Sequence, residues 1–203
     1  ALDHVANNDL LLTLGIKPSR PDTGYGYIQF IESADDINKV KTFTEKPVLD
    51  LAEKFLESGD FLWNAGIFVW SARSFLKALE NHLPDMAEIF SEGKPFYWTS
   101  EESQYINRAY SLCKNVSIDY GIMEKANNVF VVPSDFGWSD VGTWKSLYDI
   151  SEKTKELNVV SGNIMLYNTS HCIIKTPFEK LVVVEGLENY IVAEFDNLSL
   201  IHI

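Results

Sequence analysis

Short apolar runs, each bounded by loop residues, recur through the first 157 residues of the chain. Runs of four to eight apolar residues, or runs that alternate with polar positions, are typical of strands, and a continuous run indicates a strand buried on both faces. The pattern therefore predicts five strands in this part of the chain. They are LLLTLGI at 10–16, YIQFIE at 27–32, VKTFTEKP at 40–47, FLWNAGIFVW at 61–70 and VFVVP at 129–133.

Helical spacing of apolar residues fills the gaps between these runs. Leu51, Ala52, Phe55 and Leu56 form one apolar face, and Gly59 is placed to end that helix. Strands that alternate with helices predict an α/β layer structure with a largely parallel sheet. Further helices are expected after the capping residue Ser71, near 85–90 and 102–112, over 117–126, and from about 142 to 152.

Beyond residue 157 the pattern changes to short strands separated by Asn, Ser, Thr, Pro and Gly, with no helical periodicity. Strands at such short spacing suit the first turns of a parallel β-helix, and a β-meander fits the pattern equally well. We therefore predict a main domain over 1–157 and a separate segment of short strands over 158–197, for which the pattern leaves both forms open.

Composition and charge narrow the classes of molecule that the protein could bind. The net charge of −12 argues against a nucleic-acid partner, because phosphate contacts need a clustered basic surface. The apolar runs are too short to cross a membrane. Cys113 and Cys172 form no C-x-x-C pair, which argues against a zinc-finger site and fits a reducing cytoplasm.

Two segments with glycine or charge could hold a ligand. In TGYGYI, Gly24 and Gly26 flank Tyr25, so the backbone can come close to a bound molecule. In FTEKP, Glu45 can accept hydrogen bonds from hydroxyl groups and Lys46 can neutralise a phosphate. A plain turn and a surface ion pair are the alternatives from the residues alone.

Two further segments carry polar groups at strand or helix ends. Asn64 in WNAGIFVW offers an amide that suits the edge of a sugar ring, and a turn-forming Asn is the alternative. Asp140 in DFGWSDVGTWKSL precedes a predicted helix, where it could cap the helix or bind Mg²⁺, which takes one or two protein carboxylates in addition to phosphates and water.

Taken in order, these segments resemble the mannose-1-phosphate guanylyltransferases, which make GDP-mannose. The resemblance covers nearly the whole chain, including the tail KLVVVEGLENYIVAE, which resembles the β-helical appendage of this family. It implies a Rossmann-like nucleotidyltransferase domain with a mostly parallel, mixed sheet, followed by a β-helix-like segment over 158–197. Its motifs are GIKPSRPDTGYGYI, FTEKP, LWNAGIFVW, SIDYGIMEK and FGWSDVGTW.

The resemblance implies a role for each matching position. It leaves the role of Asp119 open, a structural role included, and implies that Trp138 and Trp144 shape a loop by packing. The implied substrate-binding residues are Tyr25, Gly26, Glu45, Lys46, Asn64 and Gly66, and the implied catalytic residues are Lys46 and Asp140, with Asp140 as the ligand of a Mg²⁺ cofactor.

The implied reaction needs no protein nucleophile. An oxygen of mannose 1-phosphate would attack the α-phosphorus of GTP in line, so positioning and charge neutralisation would carry catalysis. The implied partners are mannose 1-phosphate and GTP or GDP-mannose, without nucleic acid or membrane, and a homo-oligomer stays open. Two alternatives remain: a nucleotidyltransferase for another sugar 1-phosphate, and a non-catalytic regulatory homologue that binds nucleotide-sugar.

The resemblance also sets expectations about the extent of the chain. The glycine-rich nucleotide-binding loop of the family and a second metal-binding Asp would precede Ala1, so we expect no turnover of GTP by these residues alone. The terminal hexapeptide LSLIHI, 198–203, matches the translation of a transposase-end sequencing adaptor. We expect it to be non-native, with a further short strand as the alternative.

Overall fold

The computed structural model describes residues 1–34, 36–195 and 198–202. The chain forms two compact units, Ala1–Trp138 and Ser139–Ile203, which are treated separately below. No helix within the described ranges is long and apolar enough to cross a membrane. The domain boundaries expected at 157 and 197 stay predictions.

Five strands close into a barrel in the first unit, in the order β1-β4-β2-β3-β5. All five predicted strands are present, with bounds within a few residues of those expected. The strands are β1 (Leu11–Ile16), β2 (Tyr27–Ile31), β3 (Asn38–Thr44), β4 (Phe61–Val69) and β5 (Val129–Ser134).

The mixed character of the sheet is confirmed, but the expectation that it is mostly parallel is wrong. Of the five pairings described in this barrel, only that of β1 with β5 is parallel. The short connection 32–37 makes β2 and β3 an antiparallel pair, because parallel neighbours need a long crossover. Hydrophobic periodicity reports burial and carries no information on strand direction.

Among the described residues, five helices accompany these strands, and α2 to α5 lie at the predicted places. Gly59 ends α2 with φ +76°, the left-handed conformation expected of a C-terminal glycine. Pro84 follows the end of α3. It is also the first residue of α4, where its missing N–H costs nothing. The helices are α1 (Leu2–Asn7), α2 (Leu49–Ser58), α3 (Ala72–His82), α4 (Pro84–Glu92) and α5 (Glu102–Leu112).

The predicted helix at 117–126 is a short π-helical segment, Asp119–Met123. Ile122 and Met123 of this segment are fully buried in the main core, beside Leu11 of β1 and Val131 of β5. Single π turns are frequent at functional positions. Burial of these apolar residues fixes the segment, and with it Asp119, against the barrel.

The second unit begins with α6 (Trp144–Ile150) and continues as strands. Strands alternate between two sheets: β6, β8 and β10 pair in parallel, and β7 pairs in parallel with β9. A β-meander pairs consecutive strands, so this order excludes that alternative for β6 to β10. The strands are β6 (Val159–Ser161), β7 (Asn163–Tyr167), β8 (Ile173–Lys175), β9 (Leu181–Glu185) and β10 (Tyr190–Phe195).

The terminal hexapeptide forms a last strand, β11 (Leu198–His202), antiparallel to β10. Ile203 lies outside the described residues. Their conformation does not show where they come from, so the expectation that they are non-native stays a prediction.

Ser71 gives a direct test of how local sequence sets this fold. Its Oγ accepts a hydrogen bond from the Ser74 N–H at 3.0 Å, which satisfies one free donor at the start of α3. Ser71→Ala should lower the free energy of unfolding by about 1 kcal/mol in urea denaturation. Ser71→Asp keeps an acceptor at this position and should retain most of the stability. Equal losses in both variants would contradict the capping role.

Candidate functional site

Strand pairing brings Gly26, Glu45 and Asn64 together in the first unit. Tyr27 opens β2 and pairs with Thr44, the last residue of β3, so Gly26 and Glu45 face each other just beyond the pair. Tyr27 also pairs with Trp63 of β4, and the Asn64 N–H donates to the Gly26 carbonyl at 2.7 Å. Three separate sequence motifs thus meet at one end of these strands.

The absence of a side chain at Gly26 lets Glu45 and Asn64 come close to its backbone. A Cβ atom at position 26 would lie 2.4 Å from Glu45 Oε2 and 3.2 Å from Asn64 Cβ. The same point is 3.6 Å from Asn64 Nδ2. An acceptor and a donor therefore lie on the same side of Gly26, where a side chain at position 26 would clash with Glu45 Oε2.

The Asn64 amide is held by hydrogen bonds from three directions. Its Oδ1 accepts from Thr13 Oγ1 at 2.9 Å and from the Gly66 N–H at 3.2 Å. Its Nδ2 donates to Asp119 Oδ1 at 3.0 Å. Asn64 is only 8% exposed, so these partners compensate the cost of burying an amide.

Glu45 is anchored through its backbone and carries a buried oxygen. Its N–H donates to a carboxylate oxygen of Glu124 at 2.9 Å. Its Oε2 is buried and has no hydrogen-bond partner among the described residues. Such an atom is costly to leave unpaired, because burial strips its water without replacing it. The atom is therefore suited to accept a hydrogen bond from a bound ligand.

Burial raises the pKa of the Glu45 carboxyl above its ordinary value. The negative charges of Asp119 and Glu124 raise the pKa further, and Lys46 opposes both effects. Lys46 Nζ lies 3.8 Å from Glu45 Oε1, and its side chain is 58% exposed. The ammonium group is therefore at the border of the site, with one face open to solvent.

The backbone around Lys46 and Tyr25 shows how the cation is placed. Lys46 has φ +48°, an uncommon conformation for a residue with a side chain, and its N–H donates to the Tyr25 carbonyl at 3.2 Å. The Tyr25 ring packs edge-on against Trp63 and Trp138, with centroid distances of 5.0 and 5.3 Å. Tyr25 thus contributes a carbonyl to the site and a ring to the core.

Gly66, the sixth implied substrate-binding residue, acts through its backbone. It has φ +69°, and its N–H donates to Asn64 Oδ1. Apart from its two chain neighbours, no described residue has an atom within 4 Å of the position that a Cβ would take. Gly66 therefore supports the site through its hydrogen bond to the Asn64 side chain.

Asp140 lies in the second unit. It is exposed, and its Oδ2 would be 2.6 Å from a Cβ at position 142, so Gly142 leaves room for the carboxylate. The alternative that Asp140 caps the following helix is wrong, because Thr143 is the N-cap of α6 and its Oγ1 accepts from the Ser146 N–H at 3.1 Å.

A metal at Asp140 would have to take most of its ligands from elsewhere. The described ranges contain no cluster of three or more His, Cys, Asp or Glu residues that could hold a metal ion. One exposed carboxylate fits Mg²⁺, which binds proteins through one or two carboxylates and keeps phosphates and water as its other ligands. The donor type fits Mg²⁺, and the ligand number leaves room for a substrate phosphate.

Sequence reasoning did not assign the supporting residues Thr13, Asp119 and Glu124. Thr13 and Asp119 contact Asn64 across 51 and 55 positions of sequence, and Glu124 contacts Glu45 across 79. Only the two acids in SIDYGIMEK gave a local signal, because charged residues beside buried Ile122 and Met123 need partners.

The raised pKa of Glu45 predicts a pH dependence of stability. The folded chain holds the proton to a higher pH than the unfolded chain, so stability falls as pH rises from the ordinary value of 4.5 through the folded pKa. Glu45→Gln removes this titration, and its stability relative to the original chain should rise across that window and then level off. Urea denaturation from about pH 4 to about pH 8 measures this difference.

Glu53→Gln is the matched control, because Glu53 is an exposed acid on α2. Its stability should follow that of the original chain at each pH. A constant difference between Glu45→Gln and the original chain at all pH values would contradict the raised pKa.

Comparison with known proteins identifies the family of this chain. The family model described as nucleotidyl transferase matches residues 1–157. The chain is 34% identical over 188 residues to the mannose-1-phosphate guanylyltransferase of Escherichia coli, which is 90% of this chain and 40% of that protein. It is 37% identical over 198 residues to the putative mannose-1-phosphate guanylyltransferase of Vibrio cholerae serotype O1, covering 94% of this chain and 41% of that protein.

A solved structure gives the same result for the fold. The crystal structure of mannose-1-phosphate geranyltransferase from Thermus thermophilus superposes with a TM-score of 0.80 at 28% identity, over 97% of this chain and 56% of that chain. The chain spans about two fifths of the length of the curated relatives it matches. With the family model covering most of its residues, the chain belongs to the nucleotidyl transferase family.

Proposed function

We propose that this chain forms the sugar-binding part of a mannose-1-phosphate guanylyltransferase. The observation that carries the proposal is the buried, unpartnered Glu45 Oε2, which lies on the same side of Gly26 as Asn64 Nδ2. A carboxylate oxygen and an amide N–H beside the same glycine suit a hydroxyl group, which donates and accepts. The curated relatives named for mannose 1-phosphate support the choice of sugar.

The phosphate group of the sugar would lie on the side of Glu45 that faces Lys46. Lys46 Nζ is within 3.8 Å of the Glu45 carboxylate and remains largely exposed, so it can contact a ligand anion and Glu45 together. Glu45 can accept from a sugar hydroxyl, and Lys46 beside it can bind a phosphate. A sugar 1-phosphate carries hydroxyl donors and an anion close together, so its groups are complementary to this pair. Lys46 is the catalytic residue proposed in this unit.

The reaction would be a nucleotidyl transfer from GTP. A phosphate oxygen of mannose 1-phosphate forms a bond to the α-phosphorus, the bond from that phosphorus to the β-phosphate oxygen breaks, and pyrophosphate leaves. Lys46 would offset the repulsion between the two anions, and Glu45 with Asn64 would fix the sugar so that the attacking oxygen is aligned.

Asp140 is the residue proposed to hold Mg²⁺. The ion would neutralise charge on the phosphates while Asp140 fixes its place through one carboxylate. The closeness of Gly142 to the Asp140 carboxylate supports a constrained position for this group. A β-helix-like form of the second unit, a homo-oligomer and a cytoplasmic location remain further parts of the proposal.

Binding of α-mannose 1-phosphate by the chain tests this function. Calorimetric titration should show saturable binding, and Glu45→Ala should weaken it by about tenfold or more, because an acceptor of a charged hydrogen bond is lost. Lys46→Ala should weaken binding of the sugar phosphate by about tenfold and leave binding of mannose without phosphate little changed.

Lys54→Ala provides the matched control for Lys46→Ala, since Lys54 is an exposed lysine on α2. Its affinity should equal that of the original chain. Absence of binding would contradict the proposal. Tighter binding of glucose 1-phosphate than of mannose 1-phosphate would retain a sugar 1-phosphate site and contradict the mannose assignment.

A further inference from the structure

The Asn64 amide has one orientation that satisfies its surroundings. The Gly66 N–H can only donate, and the ionised Asp119 carboxylate can only accept, so each demands one end of the amide. The Thr13 hydroxyl can rotate and serves either end. Turning the amide over would set Oδ1 against the Asp119 carboxylate and Nδ2 against the Gly66 N–H.

Asp119 makes the stronger of these two demands. Its bond to Nδ2 is 3.0 Å long and involves a carboxylate, whereas the Gly66 bond is 3.2 Å and neutral. Hydrogen bonds to an ionised group are roughly twice as strong as neutral ones. The orientation of the amide therefore depends mainly on Asp119.

This orientation decides what Asn64 offers to a ligand. Both acceptor sites of Oδ1 are taken by Thr13 and Gly66, and one N–H of Nδ2 is taken by Asp119. The second N–H has no acceptor among the described residues, and Nδ2 lies 3.6 Å from the Cβ position at Gly26. Asn64 can serve a ligand on this side of Gly26 as a donor only.

We propose that Asp119 is a positioning residue, which fixes Asn64 as a hydrogen-bond donor to the sugar without contacting the sugar itself. The inference rests on the proposed function, because it gives Asn64 a sugar hydroxyl as its partner. Glu45 accepts from the sugar and Asn64 donates to it, so the site distinguishes a hydroxyl from groups that only donate or only accept.

The fold holds Asp119 firmly enough for this role. Asp119 is the first residue of the π-helical segment, and its carbonyl accepts from the Glu124 N–H at 3.0 Å. Ile122 and Met123 anchor the same segment in the core. The side chain that orients Asn64 is thus attached to a buried element.

Affinity for α-mannose 1-phosphate measures the effect on binding. Asp119→Ala should weaken binding by about tenfold, since the amide loses the partner that selects its orientation. Asp119→Asn retains an acceptor oxygen, and its affinity should lie between the two. Asp85→Ala is the matched control, because Asp85 is an exposed acid on α4, and its affinity should be unchanged. Unchanged affinity in Asp119→Ala would overturn the inference.

A double-mutant cycle separates positioning from direct contact. If Asp119 acts through Asn64, the double variant Asn64→Ala with Asp119→Ala binds no more weakly than Asn64→Ala alone. A further loss of about tenfold in the double variant would show that Asp119 acts independently of Asn64, which overturns the inference.

Nuclear magnetic resonance tests the orientation in the absence of ligand. The side-chain amide signals of Asn64, assigned by their disappearance in Asn64→Ala, should shift and exchange faster with water in Asp119→Ala and stay in place in Asp85→Ala. Unchanged Asn64 signals in Asp119→Ala would overturn the inference. If the chain failed to bind mannose 1-phosphate while these signals shifted, the proposed function would fail and the positioning of Asn64 would stand.

Discussion

A buried amide on strand β4 is the constraint on which this site depends. Asn64 lies on β4, between β1 and β2, where an unpaired amide would cost on the order of 2–7 kcal/mol. Its backbone bonds Gly26, and its side chain bonds Thr13, Gly66 and Asp119. Satisfying this single residue requires β1, β2 and the π-helical segment to lie in their observed places.

The site carries more acidic than basic side chains. Glu45, Asp119 and Glu124 place three acids near one another, which raises the pKa of Glu45 in addition to the effect of its burial. Lys46 compensates only in part, because its Nζ is 3.8 Å from Glu45 and mostly exposed. A ligand that brings a hydroxyl donor to Glu45 and an anion to Lys46 would give both groups a partner, and this is the basis of the proposed sugar-phosphate site.

Local sequence predicted those features that depend on local physics. The five strands of the barrel, the Ser71 cap and the Gly59 helix end follow from burial patterns and backbone preferences within a few residues. The antiparallel pairings did not follow, because a buried strand looks alike in either direction. The sequence left two roles open for Asp140, and the structure excludes the capping role because Thr143 caps α6.

The candidate site shows the same division. Glu45, Lys46 and Asn64 could be selected from their motifs, since their chemistry is visible in the residue types. Thr13 and Asp119 could not be assigned, because their contacts to Asn64 join segments more than fifty residues apart and depend on strand register. Register is a property of the closed barrel and is absent from any short stretch of sequence.

A crystal structure of the chain with α-mannose 1-phosphate tests the central claim most directly. We predict that one or more sugar hydroxyls lie within hydrogen-bond distance of Glu45 Oε2 and Asn64 Nδ2, with the phosphate toward Lys46. A sugar bound elsewhere, with Glu45 Oε2 still buried and unpartnered, would contradict it.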